Sequence, residues 1–73
     1  MPERRGRLHT DLARAWWQWG KPEQTTLALL EAYRYAPGEV RDRPAIRAIA
    51  AALVERHQRV IGVKALAATV GRR

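Results

Sequence analysis

Apolar residues in the first half of this chain recur at intervals of three and four positions, the spacing of one face of an α-helix. The first such segment covers about residues 7–19, and Gly20 directly after it is typical of a helix end. The second opens with Pro22, which suits the first turn of a helix, and ends at APG, residues 36–38. The pattern therefore predicts two helices joined by a short turn.

The second half of the chain predicts one or two further helices. Asp42 or Arg43 caps a helix that has Pro44 in its first turn, and a shorter segment covers residues 63–70. Connections of about three to six residues are typical of helical hairpins, and no alternating strand pattern is present. We therefore predict an all-α fold of three to four helices in antiparallel hairpins, as a single domain over residues 1–73.

Each predicted helix has an apolar face that we expect to lie in the core. These positions are Leu8, Leu12, Ala15, Trp16 and Trp19 on the first helix, Thr25, Ala28, Leu29, Ala32 and Ala36 on the second, and Ile46, Ile49, Ala50, Leu53 and His57 on the third. The second helix also has Leu27 and Leu30 on its other side, which predicts that it packs between two neighbours.

Several positions in the first half are spaced as in a known helical repeat. They are Leu12, Ala13, Trp16, Gly20, Leu29, Ala32 and Pro37. Residues 6–39 thereby resemble one tetratricopeptide repeat, a helix–turn–helix unit of about 34 residues. His9 and Thr25 depart from the pattern, since a large apolar residue and an alanine are usual there. The resemblance implies one such repeat over residues 6–39 and a degenerate terminal hairpin over residues 40–73.

A longer stretch, from LARAWWQWGKPEQTTLALLEAYRYAPGEVRDRPAIRAI onward, is similar to the C-terminal region of bacterial helix-turn-helix transcriptional regulators of the XRE type. In those proteins tetratricopeptide-like helices follow a DNA-binding domain. The resemblance implies a non-enzymatic interaction module, from such a regulator or a short relative of one, that binds a peptide or helix of a protein partner.

All three tryptophans lie in the stretch WWQW. At about 100° per residue, Trp16 and Trp19 share the side of the leucines, which predicts core positions, and Trp17 points the opposite way. In tetratricopeptide repeats that opposite side of the first helix lines a peptide-binding groove. The resemblance therefore implies partner-binding positions at Arg7, Thr10, Arg14, Trp17 and Gln18, where the arginines suit a carboxylate and the indole an apolar side chain.

Trp17 has a second interpretation, as a residue that packs against another helix, either one that precedes the given sequence or one in a second copy of the chain. In the second case Trp17, Leu27 and Leu30 would meet their counterparts across a two-fold axis and form a homodimer. The sequence leaves the choice between groove and packing open, and both interpretations make Trp17 an interface residue.

The net charge of +7 lies mainly in residues 41–73, which carry +6. A basic surface suggests an acidic protein partner or nucleic acid. The arginines of the third helix point in different directions, which favours a solvated surface over a stripe that tracks phosphates. Nucleic-acid binding stays an alternative, carried by Arg41, Arg43, Arg47, Arg56, Arg59, Arg72 and Arg73.

The sequence offers little chemistry for catalysis or metal binding. Serine and cysteine are absent, and the neighbours in HTD, residues 9–11, fan out around a helix and cannot converge as a catalytic group. We interpret His9 and His57 as structural residues. No segment approaches the ~20 apolar residues of a membrane span. We therefore expect a cytoplasmic protein that is not an enzyme and has no metal and no cofactor.

Overall fold

Five α-helices and no strand make up the described part of the chain. The computed structural model describes the backbone of residues 2–70 and the side chains of residues 6–69. The helices are α1 (Pro2–Gln18), α2 (Pro22–Tyr35), α3 (Pro37–Arg41), α4 (Pro44–Arg56) and α5 (Val63–Val70). The predicted all-α fold is confirmed, with five helices where the sequence predicted three to four.

A tight turn joins α1 to α2. The amide of Lys21 donates a hydrogen bond to the carbonyl of Trp16 (3.0 Å), and the amide of Gly20 donates to the carbonyl of Trp17 (3.1 Å). This pair of bonds is the Schellman motif, in which the residue after the helix adopts a left-handed conformation. Gly20 has a φ of +73°, which glycine adopts at little cost. The helix stop predicted at Gly20 is therefore confirmed.

The two helices run antiparallel and approach each other closely. The start of α1 lies against the end of α2, because a Cβ atom built on Gly6 would fall 2.6 Å from the Cβ atom of Ala36 and 3.5 Å from the carbonyl oxygen of Ala32. A residue with a side chain at position 6 would push the helices apart. The contact therefore depends on small residues on both helices.

The buried face of α1 is the opposite of the predicted one. Gly6, Thr10 and Ala13 are buried against the rest of the fold, and Trp17 packs partly against the core. The predicted core positions Leu8, Leu12, Ala15 and Trp19 are exposed, and Trp16 is half-buried. The prediction was wrong because α2 packs against the small residues of α1, which allow close contact, and leaves the large apolar residues outside.

The second half of the chain largely follows the prediction. The residues PGEVR, which follow directly on the predicted end of the second helix, form the short helix α3, whose Val40 is buried. Arg43 is the N-cap residue of α4, and α5 spans the predicted residues 63–70. All five helices contribute residues to the core, and α1 contributes from the side that faces α2. The core contains Ala13, Ala28, Leu29, Ala32, Val40, Ile46, Ile49, Ala50, Leu53 and Leu66.

Candidate protein-interaction surface

The side of α1 that faces away from α2 carries a continuous row of apolar side chains. We call this row the outer stripe and define it as Leu8, Leu12, Ala15, Trp16 and Trp19. Leu8 is 57% exposed, Leu12 43% and Trp19 72%. Single exposed apolar residues are common on proteins, but a contiguous row at helical spacing is typical of a contact surface.

The two tryptophans of the outer stripe form one aromatic unit. The ring centroids of Trp16 and Trp19 lie 5.5 Å apart with an interplanar angle of 89°, an edge-to-face pair. This contact orients the ring of Trp19, which directly follows the last turn of α1, while leaving most of it exposed. A large, oriented aromatic surface of this kind is a common anchor in protein interfaces.

A polar row borders the outer stripe along one side. Arg7, Asp11, Arg14 and Gln18 follow each other at intervals of four, three and four residues, and all four are exposed. Within the described residues, neither Asp11 nor Arg14 forms an ion pair. We call these four residues the polar flank. Asp11, the charged residue of this row that lies nearest the outer stripe, is therefore available to a molecule that covers the stripe.

The predicted peptide groove does not form as one surface. Of its five positions, Arg7, Arg14 and Gln18 are exposed, but they belong to the polar flank. Thr10 is fully buried, and Trp17 is half-buried and packs on the core. The interpretation of Trp17 as an outward-facing residue was wrong, because its side of α1 is the side that α2 covers.

Trp17 completes the junction between the two halves of the chain. Its ring meets the ring of His57 edge to face, at a centroid distance of 6.1 Å and an interplanar angle of 89°. His57 follows the end of α4, so this pair connects α1 to the second half of the fold. Trp17 therefore stabilises the domain and offers little surface to a partner.

Thr10 is the centre of a buried polar contact. Its hydroxyl donates a hydrogen bond to the carbonyl of Arg7 (2.8 Å) and accepts one from Nη1 of Arg43 (2.9 Å). The same nitrogen of Arg43 donates to Oε1 of Glu39 (3.2 Å). The guanidinium thus links α1 to α3, and the network occupies two of the residues that the sequence analysis assigned to binding, Thr10 for a protein partner and Arg43 for nucleic acid.

The residues predicted for self-association and those predicted for nucleic-acid binding also do not form one surface each. For self-association, Leu27 is 58% exposed, but Leu30 packs against the core together with Trp17. Among the nucleic-acid candidates, Arg43 is engaged in the network just described. The remaining ones on described side chains are exposed, namely Arg41, Arg47, Arg56 and Arg59. Arg72 and Arg73 lie outside the described residues.

An open groove of about 820 Å³ lies beside α4 and α5. Apolar and small residues dominate its lining, with Arg47 and Glu55 as the charged members; the others are Pro44, Ala48, Ala50, Ala51, Val54, Gln58 and Ala67.

The described residues contain no group of three or more His, Cys, Asp or Glu side chains placed to hold a metal ion. Over residues 2–70, no helix combines the length and apolar character needed to cross a membrane.

Comparison of the chain with protein-family models, with curated proteins and with solved structures finds no match. The similarity to tetratricopeptide repeats and to XRE-type regulators therefore stays a prediction.

Proposed function

We propose that this protein is a non-enzymatic helical interaction module that binds an amphipathic helix on the outer stripe of α1. The observation that carries the proposal is the exposure of Leu8, Leu12 and Trp19 on a helix whose other face is already packed. These side chains gain from the hydrophobic effect only when another molecule covers them.

A helix suits this surface better than an extended peptide. The outer stripe is a convex ridge along a single helix, with intervals of four, three and four residues between Leu8, Leu12, Ala15 and Trp19. Helices pack by fitting such ridges into the grooves of a facing helix. An extended peptide is bound by a concave groove or by a sheet edge, and the outer stripe offers neither.

The polar flank supplies orientation. Exposed charges beside an apolar contact add little affinity, but they select partners and fix the direction of binding. A partner helix is therefore expected to carry an apolar row with a basic side chain beside it, placed to meet Asp11, the charged residue of the polar flank that lies nearest the outer stripe.

A photo-crosslinking experiment tests the proposal. A benzophenone amino acid replaces Leu12 in one version of the full chain, and Ala45, an exposed position on α4, in a matched control. After irradiation in cells that produce the protein, the products are separated and identified by mass spectrometry. We expect one dominant product from position 12 and none of it from position 45, and we expect Trp19→Glu to abolish that product.

Two results would overturn the proposal. Either the two positions give the same mixture of products, or the product from position 12 persists when Trp19→Glu is present. In both cases the outer stripe does not bind a specific partner.

A further inference from the structure

We infer that the groove beside α4 and α5 is a self-association surface, in which α4 packs antiparallel against α4 of a second copy of this chain. The groove lies on different helices from the outer stripe, so this inference goes beyond the proposed function and does not depend on it. It is carried by the positions of two opposite charges in the groove and by the small residues between them.

The two charged residues of the groove lie at equal distances from its middle. Arg47 and Glu55 are each four residues from Ala51, one on either side, and all three residues are exposed. At about 100° per residue, each charged side chain points about 40° away from the direction of Ala51, one to each side of it. Over residues 6–69, neither Arg47 nor Glu55 forms an ion pair. Both charges are therefore available to a molecule that occupies the groove.

The residues between the two charges are small and are placed in the same symmetric way. Ala48 and Val54 are each three residues from Ala51 and point about 60° to either side of it. Of the other lining residues on α4, Pro44 opens the helix and Ala50 is fully buried in the core. The lining of the groove from residue 47 to residue 55 therefore offers a helix-facing surface without a large side chain in its middle.

A two-fold axis beside Ala51 pairs opposite charges. Such an axis reverses the second helix, so each residue faces the one that lies at the same distance from Ala51 in the other direction. Arg47 then faces Glu55 of the partner subunit, and Glu55 faces Arg47 of the partner subunit. Two ion pairs form in this way without any displacement along the helices.

The alanine at the axis sets the distance between the two helices. Helices in contact lie about 8–10 Å apart, depending on the side chains between them. Two methyl groups fit between axes about 10 Å apart, whereas two large side chains at position 51 would hold the helices further apart. The two Cα atoms at position 51 are then about 5 Å apart, because the Cα atoms of an α-helix lie about 2.3 Å from its axis.

The charges select both the orientation and the occupant. In a parallel pair in the same register, Arg47 would face Arg47 of the partner subunit, and Glu55 would face Glu55 of the partner subunit, so like charges would meet. Only the antiparallel pair joins opposite charges. A second copy of the chain is the occupant that fits, because α4 itself supplies both members of each ion pair at matching positions.

Sedimentation equilibrium of the purified full chain, from about 10 µM to about 1 mM, measures the association. The buffer contains about 0.15 M salt, because the net charge of +7 on each copy opposes association and is screened beyond about 8 Å under these conditions. We expect a monomer–dimer equilibrium for the unaltered chain. Ala51→Glu is expected to weaken it at least about 30-fold, because it places two carboxylates and their bulk at the axis.

The matched control is Ala45→Glu. Ala45 is exposed on the same helix but points about 120° away from the direction of Ala51, outside the groove. This variant adds the same charge to the chain and is expected to leave the equilibrium unchanged. Circular dichroism of both variants shows whether the helices are intact.

Charge reversal tests the orientation. Arg47→Glu and Glu55→Arg are each expected to weaken self-association by about tenfold, because each variant turns two ion pairs into two contacts between like charges. The two substitutions combined in one chain are expected to restore most of the association, since opposite charges again face each other across the axis. A parallel pair would show no such loss and recovery.

A disulfide tests the position of the axis. The chain contains no cysteine, so Ala51→Cys introduces a single thiol. In a buffer of oxidised and reduced glutathione we expect this variant to form a covalent dimer, because about 5 Å between the Cα atoms lies within the disulfide range of about 4.4–6.8 Å. Ala45→Cys, treated in the same way, is expected to remain without an intermolecular disulfide.

Four results would overturn the inference. The unaltered chain is monomeric over the whole concentration range, or Ala45→Glu weakens association as much as Ala51→Glu does. Alternatively, the combined charge reversal fails to restore association, or the two cysteine variants form covalent dimers equally. The proposed function has a separate readout, because Ala51→Glu is expected to leave the crosslinked product from position 12 unchanged.

Discussion

The close contact between α1 and α2 gives the most direct test of how α1 is oriented. We predict that Gly6→Ala destabilises the protein, although the same change inside an exposed helix stabilises it by about 0.5–1 kcal/mol. The new Cβ atom would lie 2.6 Å from the Cβ atom of Ala36. Carbon atoms in contact are ordinarily about 3.5–4.0 Å apart, so the helices must separate by about 1 Å.

The magnitude follows from these opposing effects. Overpacking of this kind costs about 1–3 kcal/mol, and the gain in helix propensity offsets part of it. We expect a net loss of about 1 kcal/mol in the free energy of unfolding, which lowers Tm by about 4–8 °C in a domain of this size. Thermal unfolding followed by circular dichroism at 222 nm measures the change.

Two further variants make the test specific. Gly38→Ala is the matched control, because its new Cβ atom meets only a carboxylate oxygen of Asp42, at 3.2 Å, and that flexible side chain can move away. It is expected to leave Tm unchanged or slightly raised. Adding Ala36→Gly to Gly6→Ala removes the clashing methyl group and is expected to recover most of the loss, as a positive coupling in a double-mutant cycle.

The reasoning is refuted if Gly6→Ala raises Tm by the amount that helix propensity alone predicts. The small residues of α1 would then not face α2, and the outer stripe would not be the exposed side. A loss that Ala36→Gly fails to rescue would likewise place the contact elsewhere.

Three further predictions concern the two faces of α1. Thr10→Val is expected to lower the free energy of unfolding by about 1 kcal/mol, because it removes a buried hydrogen-bond acceptor. Thr25→Val is the control and is expected to be nearly neutral, because the hydroxyl of Thr25 bonds only within its own helix. Urea denaturation measures both changes. In the same assay at low protein concentration, Leu12→Gln is expected to change the free energy of unfolding by less than about 0.5 kcal/mol. Ala13→Leu is expected to lower it by about 1–3 kcal/mol, because Ala13 is fully buried. Equal losses in the two variants would contradict the assigned faces of α1. Trp17→Ala should cost about 1–3 kcal/mol and shift thermal unfolding to lower temperature, and an unchanged Tm would show that Trp17 is not packed on the core.

The positions of the helices are predictable from the sequence because their end signals are local. Gly20 ends α1, and prolines at positions 22 and 44 open α2 and α4. The buried face of α4 is also predictable, since Ile46, Ile49 and Leu53 form its most apolar row without a competing one. In these cases a short stretch of chain determines the structure.

The orientation of α1 is not determined locally. Gly6, Thr10, Ala13 and Trp17 recur at the same helical spacing as the outer stripe, so periodicity alone cannot choose between the two faces. Counting apolar side chains favours the wrong face. The deciding factor is how closely another helix approaches, which depends on residues that are distant in the sequence.

A signal for the correct face exists on α2. Its buried side carries alanines at positions 28 and 32, and Ala36 follows the helix, so this side of α2 is as flat as the small-residue face of α1. Matching small residues on consecutive helices would have predicted their close contact. The candidate site then follows, because the row of large apolar residues on α1 is left without an intramolecular neighbour.

The two faces of α1 thus have the same helical spacing but different roles. The small-residue face gains stability from close approach, where Gly6 and Ala36 leave no space between the helices. The outer stripe has its bulk in Trp19 and the leucines, whose exposed parts contribute little to folding. If folding alone shaped this helix, polar residues at those positions would serve as well. Their presence as a row on the side of α1 that α2 leaves uncovered is accounted for by a contact with another molecule, as in the proposed function.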